Sequence, residues 1–149
     1  MRIENRLQLQ LWREECKEKH QKEKCRILVC GGTGCLAGGS DKIYARFKEM
    51  SEGMDHVTVK IGEEIAHPGV KMSGCHGFCE MGPLVRIEPY NYLYLKVKLE
   101  DCEEIFEKTI LRGEPVERLM YHDDHKVYET QEEIPFYAEQ TRLVLKNCG

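Results

Sequence analysis

Residues 25–113 predict a small α/β domain. Three observations carry that expectation. An apolar run, Cys25-Arg26-Ile27-Leu28-Val29-Cys30, ends in a glycine-rich turn, Gly31-Gly32-Thr33-Gly34. A helical repeat follows at Ile43, Phe47, Met50 and Met54. Two strand-like runs, 84–88 and 92–97, are then split by the turn Pro89-Tyr90-Asn91, which reads as a hairpin.

Residues 1–24 form a charged arm in which Ile3, Leu7 and Leu11 recur every four positions beside Trp12. That spacing gives an amphipathic helix that packs either on its own domain or on a partner subunit. Residues 13–24 read as a solvated charged face. In the first βα unit Ser40 is the expected helix N-cap and Gly53 the stop. Clean alternation over 56–61 puts Val57, Val59 and Ile61 on one side of a strand. A polar stretch, 62–69, leads to a short strand at Val70-Lys71-Met72 and a second cysteine-rich loop, 73–82. Residues 99–111 read as a helix. Glu100, Asp101, Glu103 and Glu104 suit its positive end, and Cys102, Ile105, Phe106 and Thr109 share its inner face. Arg112-Gly113 closes it and Pro115 prevents its return. Residues 114–149 show charged turns and few core positions, so they read as a linker or tail.

Composition sets the outer bounds. A chain of 149 residues suits one domain with an arm at either end. A formal net charge of -4 argues against general nucleic-acid binding, which needs a basic face. The longest apolar runs span only a few residues, so no membrane-spanning helix is expected. The N-terminus lacks the basic-then-apolar pattern of a signal peptide, and the expected location is cytoplasmic. In that compartment eight cysteines point to metal, cluster or redox chemistry rather than disulfides.

The cysteines fall into a pattern. Cys30-x4-Cys35 follows the first strand, and Cys75-x3-Cys79 lies in the loop before the hairpin, with residues 36–74 between the pairs. Both pairs sit in glycine-rich loops at what read as opposite strand ends, Gly31, Gly32 and Gly34 in one, Gly74, Gly77 and Gly82 in the other. A bridging iron-sulfur core carries negative charge, so backbone N–H groups must come close, and side chains would block them. Two pairs of thiolates supply two ligands to each iron of a [2Fe-2S] core. Structural zinc uses the same donors, but its usual knuckles are C-x2-C, which neither pair matches. A thioredoxin-type dithiol enzyme needs C-x-x-C, which is absent. Gly32-Thr33-Gly34-Cys35-Leu36-Ala37 matches the dinucleotide fingerprint, but Glu63 and Glu64 fall about ten residues too late for its acidic partner. Cys102 reads as a small core hydrophobe, Cys25 as a reserve ligand, and Cys16 and Cys148 have no assigned role. His76, between two proposed ligands, reads as solvent-facing; a Rieske-type site would need a second histidine in the other loop. His56, His67, His122 and His125 show no metal-ligand spacing, and no catalytic triad or carboxylate pair stands out.

Cys30-Gly-Gly-Thr-Gly-Cys35-Leu-Ala-Gly-Gly and Ser73-Gly-Cys75-His-Gly-Phe-Cys79-Glu-Met-Gly-Pro83 resemble the thioredoxin-like [2Fe-2S] ferredoxins. More closely, they are similar to the N-terminal domain of the FMN- and NADH-binding subunit of electron-bifurcating hydrogenases and complex I-like NADH dehydrogenases. Leu111-Arg-Gly-Glu-Pro-Val-Glu-Arg-Leu-Met-Tyr121, Ile134-Pro-Phe-Tyr137 and Leu145-Lys-Asn-Cys-Gly149 resemble the linker that follows in that subunit. The resemblance covers about residues 25–149. It implies a thioredoxin-like fold, a mixed sheet flanked by helices, with the four cysteines at one end. It also implies electron exchange with a flavin (FMN)-binding NAD(P)H-oxidising domain or subunit and with other iron-sulfur subunits, a hydrogenase among them. The FMN and NADH loops of that subunit have no counterpart in these residues, so the chain is expected to have no catalytic site of its own. The expected division is an arm at 1–24, a ferredoxin domain at 25–113 and a linker at 114–149 toward an absent flavin domain.

The function expected is that of a one-electron carrier with a [2Fe-2S] cluster held by Cys30, Cys35, Cys75 and Cys79. Its potential should lie on the ~-400 mV scale of plant-type clusters. The alternative is a zinc-stabilised, non-redox module that docks subunits through the face of Ile3, Leu7 and Leu11.

Overall fold

The computed structural model describes residues 3–22, 25–53, 69–124, 126–141 and 143. A four-stranded sheet is built around β1 (Arg26–Cys30). β2 (Gly69–Ser73) lies parallel to β1 on one side, with Cys30 opposite Ser73. On the other side β3 (Val85–Glu88) runs antiparallel, with Val29 opposite Val85, and continues to β4 (Tyr92–Tyr94). The sheet order is therefore β2-β1-β3-β4. Alternation explains the burial: Val85 and Ile87 point into the core while Arg86 and Glu88 do not. Asn91 completes the β3–β4 turn at φ +60, a left-handed conformation that asparagine tolerates better than most residues. The expected strand at 56–61 lies outside the described residues.

Helix α1 (Arg6–Lys22) forms as the four-residue repeat predicts, but its apolar side chains stay exposed: Leu7 at 65%, Leu11 at 58% and Trp12 at 46%. Packing of that face on its own domain is thus not what the structure shows. The glycine-rich turn is shorter than expected, because Thr33–Ala37 form a short helix, α2, with Cys35 buried inside it. Helix α3 (Ser40–Gly53) ends at Gly53 as expected. Its start differs. Ser40 is the first helical residue, its hydroxyl is buried without a hydrogen bond among the described residues, and the Gly39 carbonyl accepts from Lys42 and Ile43 instead.

Phe47 and Ile43 of α3 pack with Ile27, Val29 and Ile87 of the sheet. Each such fully buried large side chain contributes about 1.5–3 kcal/mol. Helix α4 (Asp101–Ile105) begins two residues later than predicted, where Asp101 Oδ2 accepts the Lys98 N–H at 2.8 Å. It continues as a wider π turn, Phe106–Leu111. Cys102, Ile105, Phe106 and Thr109 are buried, as the inner face requires. Gly113, at φ +75, ends the element.

The segment after Glu114 departs most from expectation. Val116, Leu119, Met120, Tyr128, Ile134 and Tyr137 are all buried. A 3-10 turn (Glu117–Leu119), a two-strand ribbon of β5 (Tyr121–His122) and β6 (Val127–Tyr128), a second 3-10 turn (Gln131–Glu133) and helix α5 (Pro135–Ala138) carry them back over the domain. Among the described residues no helix is long and apolar enough to cross a membrane.

Candidate metal centre

The parallel pairing of β1 and β2 decides the geometry. Both ligand-bearing loops leave the sheet at the same end, since Cys30 closes β1 directly opposite Ser73, the last residue of β2. The reading of opposite strand ends is corrected by this register. Backbone bonds fix the approach: Gly31 N–H donates to the Ser73 carbonyl at 3.1 Å, and Cys30 N–H to that of Leu84 at 3.0 Å.

The four cysteines meet there in two pairs. Cys30 and Cys35 are buried, and Cys35 hydrogen-bonds to Cys30. Cys75 and Cys79 are exposed, with sulfurs 3.9 Å apart. Backbone glycines separate the pairs. A Cβ on Gly32 would lie 2.9 Å from the Cys75 sulfur and 3.5 Å from that of Cys30. A Cβ on Gly82 would lie 2.7 Å from the Cys35 sulfur. Gly32 has φ -63 and Gly82 φ -75, values any residue adopts. Room, not backbone freedom, is what these positions demand. N–H groups also reach sulfur: Gly77 donates to Cys75 at 3.4 Å, and the Leu84 N–H bonds to Cys35.

Electrostatics agree with the burial. Burial pushes the Cys35 thiol up to about 12, with the Cys30 hydrogen bond and nearby thiols adding to the effect. Cys79 is raised chiefly by its hydrogen bond to Cys75. Four thiols with glycine clearance between them suit a group that takes four thiolates and fills the space between two pairs. Among the described residues no three His, Cys, Asp or Glu side chains gather around one point as a single ion requires.

The remaining cysteines stand apart. Cys25 and Cys102 belong to the core beneath α3, where burial raises their thiols to about 11 and about 12. Cys25 is therefore not placed as a reserve ligand. Cys16 is half-buried on α1, and Cys148 lies outside the described residues.

His76 is not solvent-facing. It is fully buried, with Nε2 2.8 Å from Ser73 Oγ and Nδ1 3.3 Å from Gln131 Oε1. Gln131 Oε1 also accepts from Arg86 at 3.5 Å. These contacts tie the cysteine loop to the C-terminal segment. Aromatic packing does the same: Phe78 stacks on Phe136 at 4.4 Å and meets Tyr137 edge-on at 5.6 Å. Tyr128, Ile134 and Tyr137 pack in one cluster with Cys30 and Cys35. Sequence reasoning missed this cover. The one available signal was the crowding of aromatics at Tyr121, Tyr128, Phe136 and Tyr137.

Known proteins share this arrangement. The family model for thioredoxin-like [2Fe-2S] ferredoxin matches residues 17–109. A 2Fe-2S ferredoxin of Aquifex aeolicus (strain VF5) is 50% identical over 86 residues, 58% of this chain and 71% of that protein. A 2Fe-2S ferredoxin of Clostridium pasteurianum is 32% identical over 98 residues, 64% of this chain and 94% of that protein. A crystal structure of the wild-type thioredoxin-like [2Fe-2S] ferredoxin from Aquifex aeolicus superimposes with a TM-score of 0.56 at 30% identity, covering 68% of this chain and 99% of that one.

Proposed function

Since the chain belongs to the thioredoxin-like [2Fe-2S] ferredoxin family and carries electrons on a [2Fe-2S] cluster, we propose that Cys30, Cys35, Cys75 and Cys79 hold that cluster and that the protein serves a larger NAD(P)H-linked enzyme. The observation that carries the ligand assignment is the pair of thiol pairs spaced around Gly32 and Gly82. When bound, the cluster accepts and releases one electron at a time. The chain's own residues supply the rest. Cys30 and Cys35 hold the buried side and Cys75 and Cys79 the exposed side, where a partner can come close. Backbone N–H groups of Gly77 and Leu84 stabilise negative charge on sulfur. Phe136 and Tyr137 exclude water from the loop that carries Phe78.

Membership of an electron-bifurcating hydrogenase or NADH dehydrogenase is the finer part of the proposal. It is supported by the resemblance of 111–121 and 134–137 to the linker of an FMN- and NADH-binding subunit. The electron donor is then a flavin domain and the acceptor an iron-sulfur partner. A cytoplasmic setting goes with that assignment.

The test is anaerobic purification, iron and zinc analysis, and low-temperature EPR of the dithionite-reduced protein. About two irons per chain and a rhombic S = 1/2 signal are expected, lost or strongly altered in Cys75→Ser and unchanged in Cys102→Ala. A normal signal in Cys75→Ser overturns the ligand set. Failure of an NAD(P)H-oxidising flavoprotein complex from the same cell to reduce the cluster overturns the enzyme assignment.

A further inference from the structure

A second feature lies across the backbone from Cys35. A hollow of about 370 Å³ is lined by Lys42, Lys96 and Lys98, with Gly82 and Pro83 in its wall and Leu99 at its rim. All three lysines are exposed. Gly82 is the residue whose missing Cβ would lie 2.7 Å from the Cys35 sulfur, so only one backbone segment separates the hollow from a proposed cluster ligand. The lysine-bearing strand end is held firmly. Lys96 sits at φ +49, a left-handed conformation that strains a lysine and that collects at functional sites. Its N–H donates to the Met81 carbonyl at 2.8 Å, and the next N–H, from Val97, to that of Pro83 at 3.1 Å. The Lys98 N–H is fixed on Asp101.

The charge is available for a partner. Neither Lys42 nor Lys96 pairs with an acid among the described residues. Lys98 meets only Glu100, at 3.6 Å, and both are highly exposed, a pairing that solvent makes weak. The protein as a whole is acidic, with a net charge of -4. An acidic partner is therefore repelled by most of the surface and drawn to this one place, which orients the encounter.

We propose that the lysine-lined hollow is the docking face for an acidic redox protein, whose carboxylates meet Lys42, Lys96 and Lys98 while its redox group comes up against the Gly82 wall. This rests on the electron-carrier reading. Tunnelling weakens steeply with distance, and the wall is glycine backbone where any other residue would strike the ligand sulfur.

Small charged oxidants test it on the full chain. The reduced protein passes one electron to tris(oxalato)cobaltate(III), an anion, or to hexaamminecobalt(III), a cation; each becomes cobalt(II) as the protein returns to its oxidised form. Lys42→Glu/Lys96→Glu is compared with Lys48→Glu/Lys108→Glu, which changes the net charge equally elsewhere. At low salt the first variant should slow the anionic oxidant about tenfold and speed the cationic one several-fold, and the control should move either rate by less than about twofold. High salt should erase the difference. A binding readout accompanies this: 13C-methylated lysines titrated with redox-inert hexacyanocobaltate(III) should shift at the resonances missing from the first variant. Equal rates in both variants, or shifts spread over all lysines, overturn the docking face. A wild-type protein without a reducible EPR signal overturns instead the carrier reading beneath it.

Discussion

A single methyl group is enough to test the cluster cradle. Gly82→Ala keeps an ordinary backbone, since φ is -75, but drives a carbon to within 2.7 Å of the Cys35 sulfur. The variant should fold with near-normal far-UV circular dichroism and yet load well under half the iron of the wild type, read by metal analysis. Full loading would show that the sulfur or the loop yields freely. Tyr94 offers a second test at this scale. Its hydroxyl lies 2.6 Å from Thr109 Oγ1 and accepts the Val116 N–H at 3.1 Å, while Thr109 donates to the Glu114 carbonyl. Tyr94→Phe leaves a buried N–H unpaired and should cost about 1–3 kcal/mol in denaturant unfolding. His76 belongs here too. One histidine in a loop has no periodicity, so nothing in its neighbours reveals that it is buried against Ser73 and Gln131.

At the scale of elements, ion pairs join α4 to the segment that follows it. Glu104 accepts from Lys108 at 2.8 Å and from Arg118 Nε at 2.9 Å, and Arg118 also reaches Asp101 at 2.7 Å. The hydrogen bonds from Lys108 and Arg118 hold the Glu104 carboxyl below the usual range. A lowered folded-state pKa means stability that is present above the ordinary carboxylate range and lost as pH falls through the folded value. Glu104→Gln should therefore destabilise at pH 7 and converge with the wild type by about pH 3. Solvent screening keeps the neutral-pH difference to a few tenths up to about 1 kcal/mol, measured by paired urea titrations. Elements with a regular repeat were legible in the sequence. β1, β2, the β3–β4 hairpin, the helical face of Ile43 and Phe47 and the inner face of α4 all follow alternation or a 3.6 period. Helix α2 was not, because a stretch holding Gly34, Gly38 and Gly39 has poor intrinsic helicity and takes its shape from packing around Cys35. The buried residues from Val116 to Tyr137 were missed because they come singly, in turns and two-residue strands, where no period can build.

Across the whole molecule, the cysteine spacing made the site legible, but its surroundings depend on the C-terminal segment. The family match ends at Thr109, whereas buried side chains continue to Tyr137. Tyr137→Ala should lower stability by about 2–4 kcal/mol through loss of a large buried side chain, and Tyr137→Phe should lower it far less, as compared by thermal unfolding of the loaded protein. Comparable losses in the two would mean that the hydroxyl, not the ring packing against Phe78, holds the segment down. Two thiols of the proposed set face solvent and two lie under this cover. Dioxygen and chelators thus have one avenue of attack, past Cys75 and Cys79, and the durability of the protein in air is decided by how tightly Phe136 and Tyr137 keep the other side shut.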